Sequence, residues 1–147
     1  MTFSFSQSKH DRIDIEVLRY ERAPVGEYHD DNWLTVQVRV SVGGFRGTVD
    51  AAFITEEFVA FLAQLRTLHE SLSGTAKFTT MEEQLHLRLT GDGKGHIELV
   101  GELADRAGCR GGMGNWLHFT LQFDQSQLGA SIHELERVTS EFPVRAA

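Results

Sequence analysis

Apolar and polar residues alternate along the first third of the chain. Residues 3–5 and 13–17 alternate over short segments, and residues 33–42 and 45–53 do so over longer ones. A period of two predicts strands that bury one face. Gly43-Gly44 lies between the two longer segments. Because adjacent glycines tolerate positive φ, we expect a tight hairpin there, with the apolar side chains of both strands on one face.

The spacing then changes to that of helices. Apolar residues recur every three or four positions from Thr55 to Leu72, which predicts an amphipathic helix that Thr55 caps and Gly74 ends. A second helix is predicted over residues 126–140, with Asp124 or Ser126 as its cap. The apolar stripes are Phe58, Phe61, Leu62, Leu65, Leu68 and Leu72 in the first helix and Leu128, Ile132, Leu135 and Val138 in the second.

Four more strands are expected, at residues 76–80, 84–90, 96–104 and 115–123. Two of them flank the Gly91–Gly95 turn, where pairing Leu89 with Ile97 places Arg88 opposite Glu98 on the other face. Short connections favour antiparallel pairing. We therefore predict an α+β fold in which one antiparallel β-sheet carries two amphipathic helices on one face, in a single domain over residues 1–147 without an internal repeat.

Composition limits the classes of function. The 147 residues are 41% hydrophobic, enough for an ordinary core, and no apolar run approaches the ~20 residues that span a bilayer. The net charge of −7 argues against non-specific nucleic-acid binding and suits a basic protein partner, although it can also serve solubility alone. A single cysteine and a start unlike a secretion signal predict a cytoplasmic protein.

No motif indicates catalysis. The segment Gly91–Gly95 lacks the spacing of a phosphate-binding loop, and Cys109, in the Gly-rich loop 107–115, has no base assigned to it by the sequence. His86, His96 and His118 share one predicted face, but the register above separates His86 from His96 by about 13 Å. Since no HxH or HExxH spacing occurs either, we expect no catalytic site, no metal site and no cofactor.

The polar face of the sheet and the Gly-rich loop are the candidate binding surfaces. Trp33 and Trp116 each open a strand on that face or its rim, where exposed aromatic residues often anchor partners. Burial under a loop or the N-terminal strand is an equal alternative. Asp30-Asp31 can form an acidic binding patch or a solvated loop. The candidate partner-binding residues are Asp30, Asp31, Trp33, Arg39, Arg110, Trp116 and His118.

Several segments together resemble the WapI-type immunity proteins. These are residues 31–47, 55–78, 82–102, 115–128 and 142–144, so the resemblance covers most of the chain from about Asp30 onward. It implies a cytosolic antidote that binds and blocks the C-terminal toxic domain, often a nuclease, of a large secreted toxin. The family carries no catalytic or metal signature, so the resemblance assigns no residue a role.

Two other classes of function stay open at this point. One is a small enzyme, or a ligand- or metal-binding domain, that uses the open face and its histidines. The other is a structural module that forms a homo-oligomer through the same face. The sequence alone gives neither the oligomeric state nor the identity of the toxin.

Overall fold

The structure, a computed structural model, describes residues 1–108 and 113–146. Its strands form two antiparallel sheets of four, ordered β1-β2-β3-β4 (the first sheet) and β5-β6-β7-β8 (the second sheet). The elements are β1 (Thr2–Ser6), β2 (Arg12–Tyr20), α1 (Tyr28–Asp31), β3 (Trp33–Val42), β4 (Phe45–Ile54), α2 (Thr55–Ser71), β5 (Ser73–Thr79), β6 (Leu85–Asp92), β7 (His96–Ala104), β8 (Trp116–Asp124) and α3 (Gln125–Glu141). The predicted α+β class with antiparallel strands is confirmed.

The prediction of one sheet is wrong, because β5 does not return to the edge of β4. Period-two patterns show which face of each strand is buried but not which strands pair across a helix. Here each set of four strands pairs in chain order and is completed by a helix. The apolar faces of the two sheets and both long helices then share one core.

Phenylalanines join the parts of this core. The rings of Phe5 in β1 and Phe123 in β8 stack across the two sheets at 5.9 Å. Phe53 in β4 meets Phe78 in β5 edge to face at 5.5 Å, and Phe58 of α2 stacks on Phe78 at 5.6 Å. The two sheets are therefore held together by buried aromatic contacts, each worth about 0.5–1.5 kcal/mol beyond its buried area.

Both predicted helices are confirmed, with small shifts at their ends. α3 begins after Asp124, whose carboxylate accepts a hydrogen bond from the backbone N–H of Gln127 at 3.0 Å, so Asp124 is the cap. α2 ends at Ser71, three residues before the predicted stop at Gly74, because Leu72 adopts the left-handed conformation with φ 61°. Within residues 1–108 and 113–146, no helix is long and apolar enough to cross a membrane.

The two halves repeat one architecture, although the sequence shows no repeat. The buried residues Phe58, Leu62, Leu65 and Leu68 of α2 are matched 70 positions later by Leu128, Ile132, Leu135 and Val138 of α3. Gln64 of α2 accepts a hydrogen bond from the backbone N–H of Lys77 in β5. Glu134 of α3, again 70 positions later, accepts one from Ser4 in β1. Each helix therefore covers the first strand of the other half.

The register of β6 and β7 differs from the predicted one by two residues. Leu89 pairs with Leu99 and not with Ile97, so Arg88 lies opposite Val100. The cause is the turn, in which the Asp92 carboxylate accepts hydrogen bonds from the backbone N–H groups of Lys94 (2.7 Å) and His96 (3.1 Å). This closes the loop over three residues and extends the pairing beyond the predicted end of β6.

Candidate functional site

The outer face of the second sheet carries a shallow depression of about 410 Å³. The corrected register builds it, because His86, Glu102 and His118 lie in one row across β6, β7 and β8. Lys77 and Arg88 lie beside that row in β5 and β6. We call Lys77, His86, Arg88, Glu102, Met113, Trp116 and His118 the second-sheet surface.

Trp116 and Met113 extend this surface with apolar area. Trp116 opens β8, two residues before His118, and its side chain is 38% exposed. Met113 lies in the preceding loop and is 82% exposed. Exposed aromatic area two residues from His118, on the same sheet face as Lys77 and Arg88, matches the composition of protein interfaces, where aromatic residues, methionine and arginine are enriched.

The loop between β7 and β8 is fixed at its base. Asn115 donates two hydrogen bonds to the carboxylate of Asp105, from its backbone N–H (3.0 Å) and its side-chain amide (2.6 Å). These bonds lower the pKa of Asp105. The backbone N–H of Gly108 donates to the carbonyl of Glu82 in the β5–β6 turn at 3.0 Å. The described ends of this loop, at Asp105, Gly108 and Asn115, are therefore held in place, and Asn115 directly precedes Trp116.

The chemistry of this surface favours binding. His86 and His118 are two strands apart, so their Cβ atoms lie roughly 10 Å from each other. Across the described ranges, no group of three His, Cys, Asp or Glu side chains could hold a metal ion. Lys77 and Arg88 give the depression two cations, although the net charge of the chain is −7.

The other candidate residues lie elsewhere. Trp33 and Arg39 belong to β3 of the first sheet, so the prediction that they share a face with Trp116 and His118 is wrong. The Arg39 guanidinium pairs with Glu16 at 2.9 Å on that other face. Arg110 lies outside the described residues, as does Cys109.

The structure also corrects the pairing of Asp30 with Asp31 as an acidic patch. The Asp31 side chain is only 1% exposed, and its carboxylate accepts hydrogen bonds from the backbone N–H groups of Val25, Gly26 and Glu27. Burial alone would raise the pKa of Asp31, but these bonds and the nearby Arg22 lower it overall. Asp31 therefore holds the loop before α1, and Asp30 is the exposed member of the pair.

Sequence reasoning missed Lys77, His86, Arg88 and Glu102 as one group. Parity places all four on a single face, so part of the signal was present. What was lacking was the register, which Asp92 fixes through its turn hydrogen bonds. An aspartate directly before a Gly-containing turn is the signal that could have found it.

Comparison with known proteins gives one family. The sequence model described as the immunity protein WapI-like family matches residues 4–143, nearly the whole chain, and confirms the resemblance found in the sequence. No match was found among the curated proteins. A solved structure titled "Structure of the plant transcriptional regulator PBF-2" is similar, with a TM-score of 0.51 and 9% identity over 97% of this chain and 81% of that chain. At that identity the likeness concerns the fold alone.

Proposed function

The chain belongs to the WapI-like immunity protein family, and from this membership we propose that it is a non-catalytic antidote. It binds the C-terminal toxic domain of a secreted polymorphic toxin and blocks that domain in the cytoplasm of the producing cell. The family match over residues 4–143 is the observation that carries this proposal. The absence of a metal cluster in the described ranges is compatible with an inhibitor that acts by occupancy.

The toxin domain binds the second-sheet surface. Trp116 and Met113 supply exposed apolar area next to a depression of about 410 Å³ that can receive a partner side chain. Tryptophan and arginine dominate the energetic centres of interfaces, so Trp116 and Arg88 are the expected anchors. A standard interface of roughly 800 Å² per partner reaches well beyond the depression and includes Asn115, which is bonded to Asp105 beside the start of β8.

The toxin domain is a nuclease. A net charge of −7 favours a basic partner, and domains that cleave RNA or DNA are basic where they hold phosphates. Lys77 and Arg88 then meet acidic side chains of the toxin at the centre of the interface. The net negative charge of the antidote steers the approach.

The test is calorimetric titration with the C-terminal domain of a secreted polymorphic toxin, sought among the genes next to the one that encodes this chain. Tight one-to-one binding with loss of toxic activity is expected. Trp116→Ala and Arg88→Ala should each weaken binding about tenfold or more, as truncation of an interface anchor does. Arg19→Ala is the matched control, since Arg19 is an exposed arginine on the first sheet.

Two outcomes would contradict these proposals separately. Absence of binding at micromolar concentration would remove the antidote role toward that toxin. Tight binding that neither Trp116→Ala nor Arg88→Ala weakens would keep the role and exclude the second-sheet surface. If Arg39→Ala weakens toxin binding in that second case, the interface lies on the first sheet, where Arg39 pairs with Glu16.

Ligand binding is the second candidate function. The specific observation in its favour is that Lys77, Arg88, His86 and His118 line the depression against a single carboxylate, that of Glu102, so basic groups outnumber acidic ones there. Inorganic phosphate should then raise the melting temperature of the wild type and leave that of Lys77→Ala unchanged. A wild-type melting temperature that does not respond to phosphate would remove this candidate in its phosphate form.

A further inference from the structure

The edge of β4 offers a second interaction surface, separate from the second-sheet surface. Outer strands of sheets expose backbone groups that can pair with another strand. Three of the four outer strands form backbone hydrogen bonds with side chains from other parts of the chain. Ser4 in β1 bonds to Ser131 and Glu134. Lys77 in β5 bonds to Gln64, and Gln122 in β8 bonds to Gln7. On β4, the Gln84 amide donates to the carbonyl of Asp50 at 3.2 Å. Residues 45–49 lie beyond that contact.

Hairpin geometry shows which backbone groups of this segment point outward. Val42 and Phe45 flank a two-residue turn, so they form a hydrogen-bonded pair, as do Val40 and Gly47. The intervening residues, Arg46 and Thr48, therefore direct their N–H and C=O groups away from β3. Within the described part of the chain, no hydrogen bond to these four groups occurs.

The segment is complementary to itself. In an antiparallel pair that uses only the unpaired groups, Arg46 lies opposite Thr48 of the second copy, and Gly47 lies opposite its own equivalent. Phe45, which is 66% exposed, then packs against Val49 of the second copy. Gly47 leaves room on the two-fold axis, because a Cβ built at Gly47 would meet nothing within 4 Å. The carboxylate of Asp50 lies diagonal to Arg46 of the second copy, so opposite charges face each other.

We propose that β4 of one copy pairs antiparallel with β4 of a second copy, joining two first sheets into one eight-stranded sheet. The occupant is a second copy because each position of residues 45–49 meets a complementary position of the same segment. The paired segment is short, so it buries less than the roughly 800 Å² per partner of a stable interface. The dimer is therefore weak and forms only at high protein concentration.

Sedimentation equilibrium from low micromolar to millimolar concentration tests the dimer. Thr48→Pro removes an N–H that makes no hydrogen bond within the chain, at an edge position where proline is tolerated. It should raise the concentration at which half the chains are dimeric by about tenfold or more. Thr48→Val is the matched control, because it keeps the N–H and should dimerise like the wild type. Circular dichroism of each variant checks that the fold is retained.

Cross-linking tests the register. In a Cys109→Ser background, which removes the one native cysteine, Gly47→Cys should form a covalent dimer on mild oxidation. The two Cα atoms in such a pair are about 4.5 Å apart, within reach of a disulfide. A wild type that stays monomeric to millimolar concentration would overturn the proposal, and so would a dimer that Thr48→Pro does not weaken or Gly47→Cys does not cross-link. A monomeric wild type whose toxin binding is weakened by Thr48→Pro would instead assign the edge to a toxin strand.

Discussion

Asp31 stabilises the loop before α1 from a position that a partner does not reach. The hydrogen bonds from Val25, Gly26 and Glu27 lower its pKa in the folded state relative to the unfolded value of about 3.9. A carboxylate with a depressed folded pKa contributes stability above its unfolded pKa and loses it as the pH falls through the folded pKa.

Asp31→Asn should therefore lower the melting temperature at pH 7. The difference from the wild type should shrink as the pH falls below the unfolded pKa of about 3.9, and it should vanish once the pH lies below the lower folded-state pKa, where the folded carboxylate is protonated. Thermal melts at a series of pH values measure this. Asp30→Asn is the control, because the Asp30 side chain is 61% exposed and should change the melting temperature little. Equal behaviour of the two variants at pH 7 would contradict the structural role of Asp31.

The packing between β7 and β8 depends on the small size of Gly101. It lies opposite Phe119 in the register of β7 and β8, and a Cβ at this position would come within 2.3 Å of the Phe119 ring. Because Phe119 is itself buried, the ring cannot move away freely. Gly101→Ala should lower the free energy of unfolding by about 1–3 kcal/mol through overpacking. Urea denaturation measures this loss of stability. Gly47→Ala is the control, because Gly47 is also a strand glycine but has open space around it. An equal loss in both variants would refute the overpacking argument.

At the scale of elements, α3 depends on one cap. Asp124 accepts the backbone N–H of Gln127, whereas Ser126, the alternative in the sequence, lies within the first turn. Asp124→Ala should cost about 1 kcal/mol of stability, and Ser126→Ala only a few tenths, because the first removes the capping bond. Chemical denaturation of both variants tests this order. The reverse order would mean that the helix begins later than the structure places it.

Local patterns sufficed for most elements. The alternation in β3 and β4, the two glycines between them and the apolar stripe of α2 each determine their element within a few residues. The four-residue helix α1 is too short to show a period. The β6–β7 register is set by hydrogen bonds to the side chain of Asp92. Matching apolar residues across the two strands takes no account of this polar side chain.

At the scale of the whole molecule, the charge of −7 should govern the rate of association with a basic toxin. Long-range attraction between exposed charges is screened by salt, so the association rate constant should fall steeply as ionic strength rises. The dissociation rate constant should change much less. Stopped-flow mixing at several salt concentrations measures both. An association rate independent of salt would exclude steering and weaken the proposal of a basic nuclease target.

The candidate binding surface was only partly predictable from the sequence, and the reason also lies at the scale of the whole molecule. Parity placed Trp116 and His118 correctly on an exposed face, since that depends on one strand alone. The grouping of Trp116 with Trp33 required knowing which strands share a sheet. Which strands share a sheet depends on contacts between the halves, such as the stacking of Phe5 on Phe123. The pattern within a single strand does not show these contacts.

The exchange of helices between the halves has a consequence for synthesis on the ribosome. β1 emerges early, but Ser131 and Glu134, which bond to its edge at Ser4, emerge more than a hundred residues later. Until α3 is made, an exposed strand edge and the apolar rings of Phe3 and Phe5 lack their final cover. Between the synthesis of β1 and that of α3, the nascent chain thus exposes a defined hydrophobic segment that a chaperone can bind.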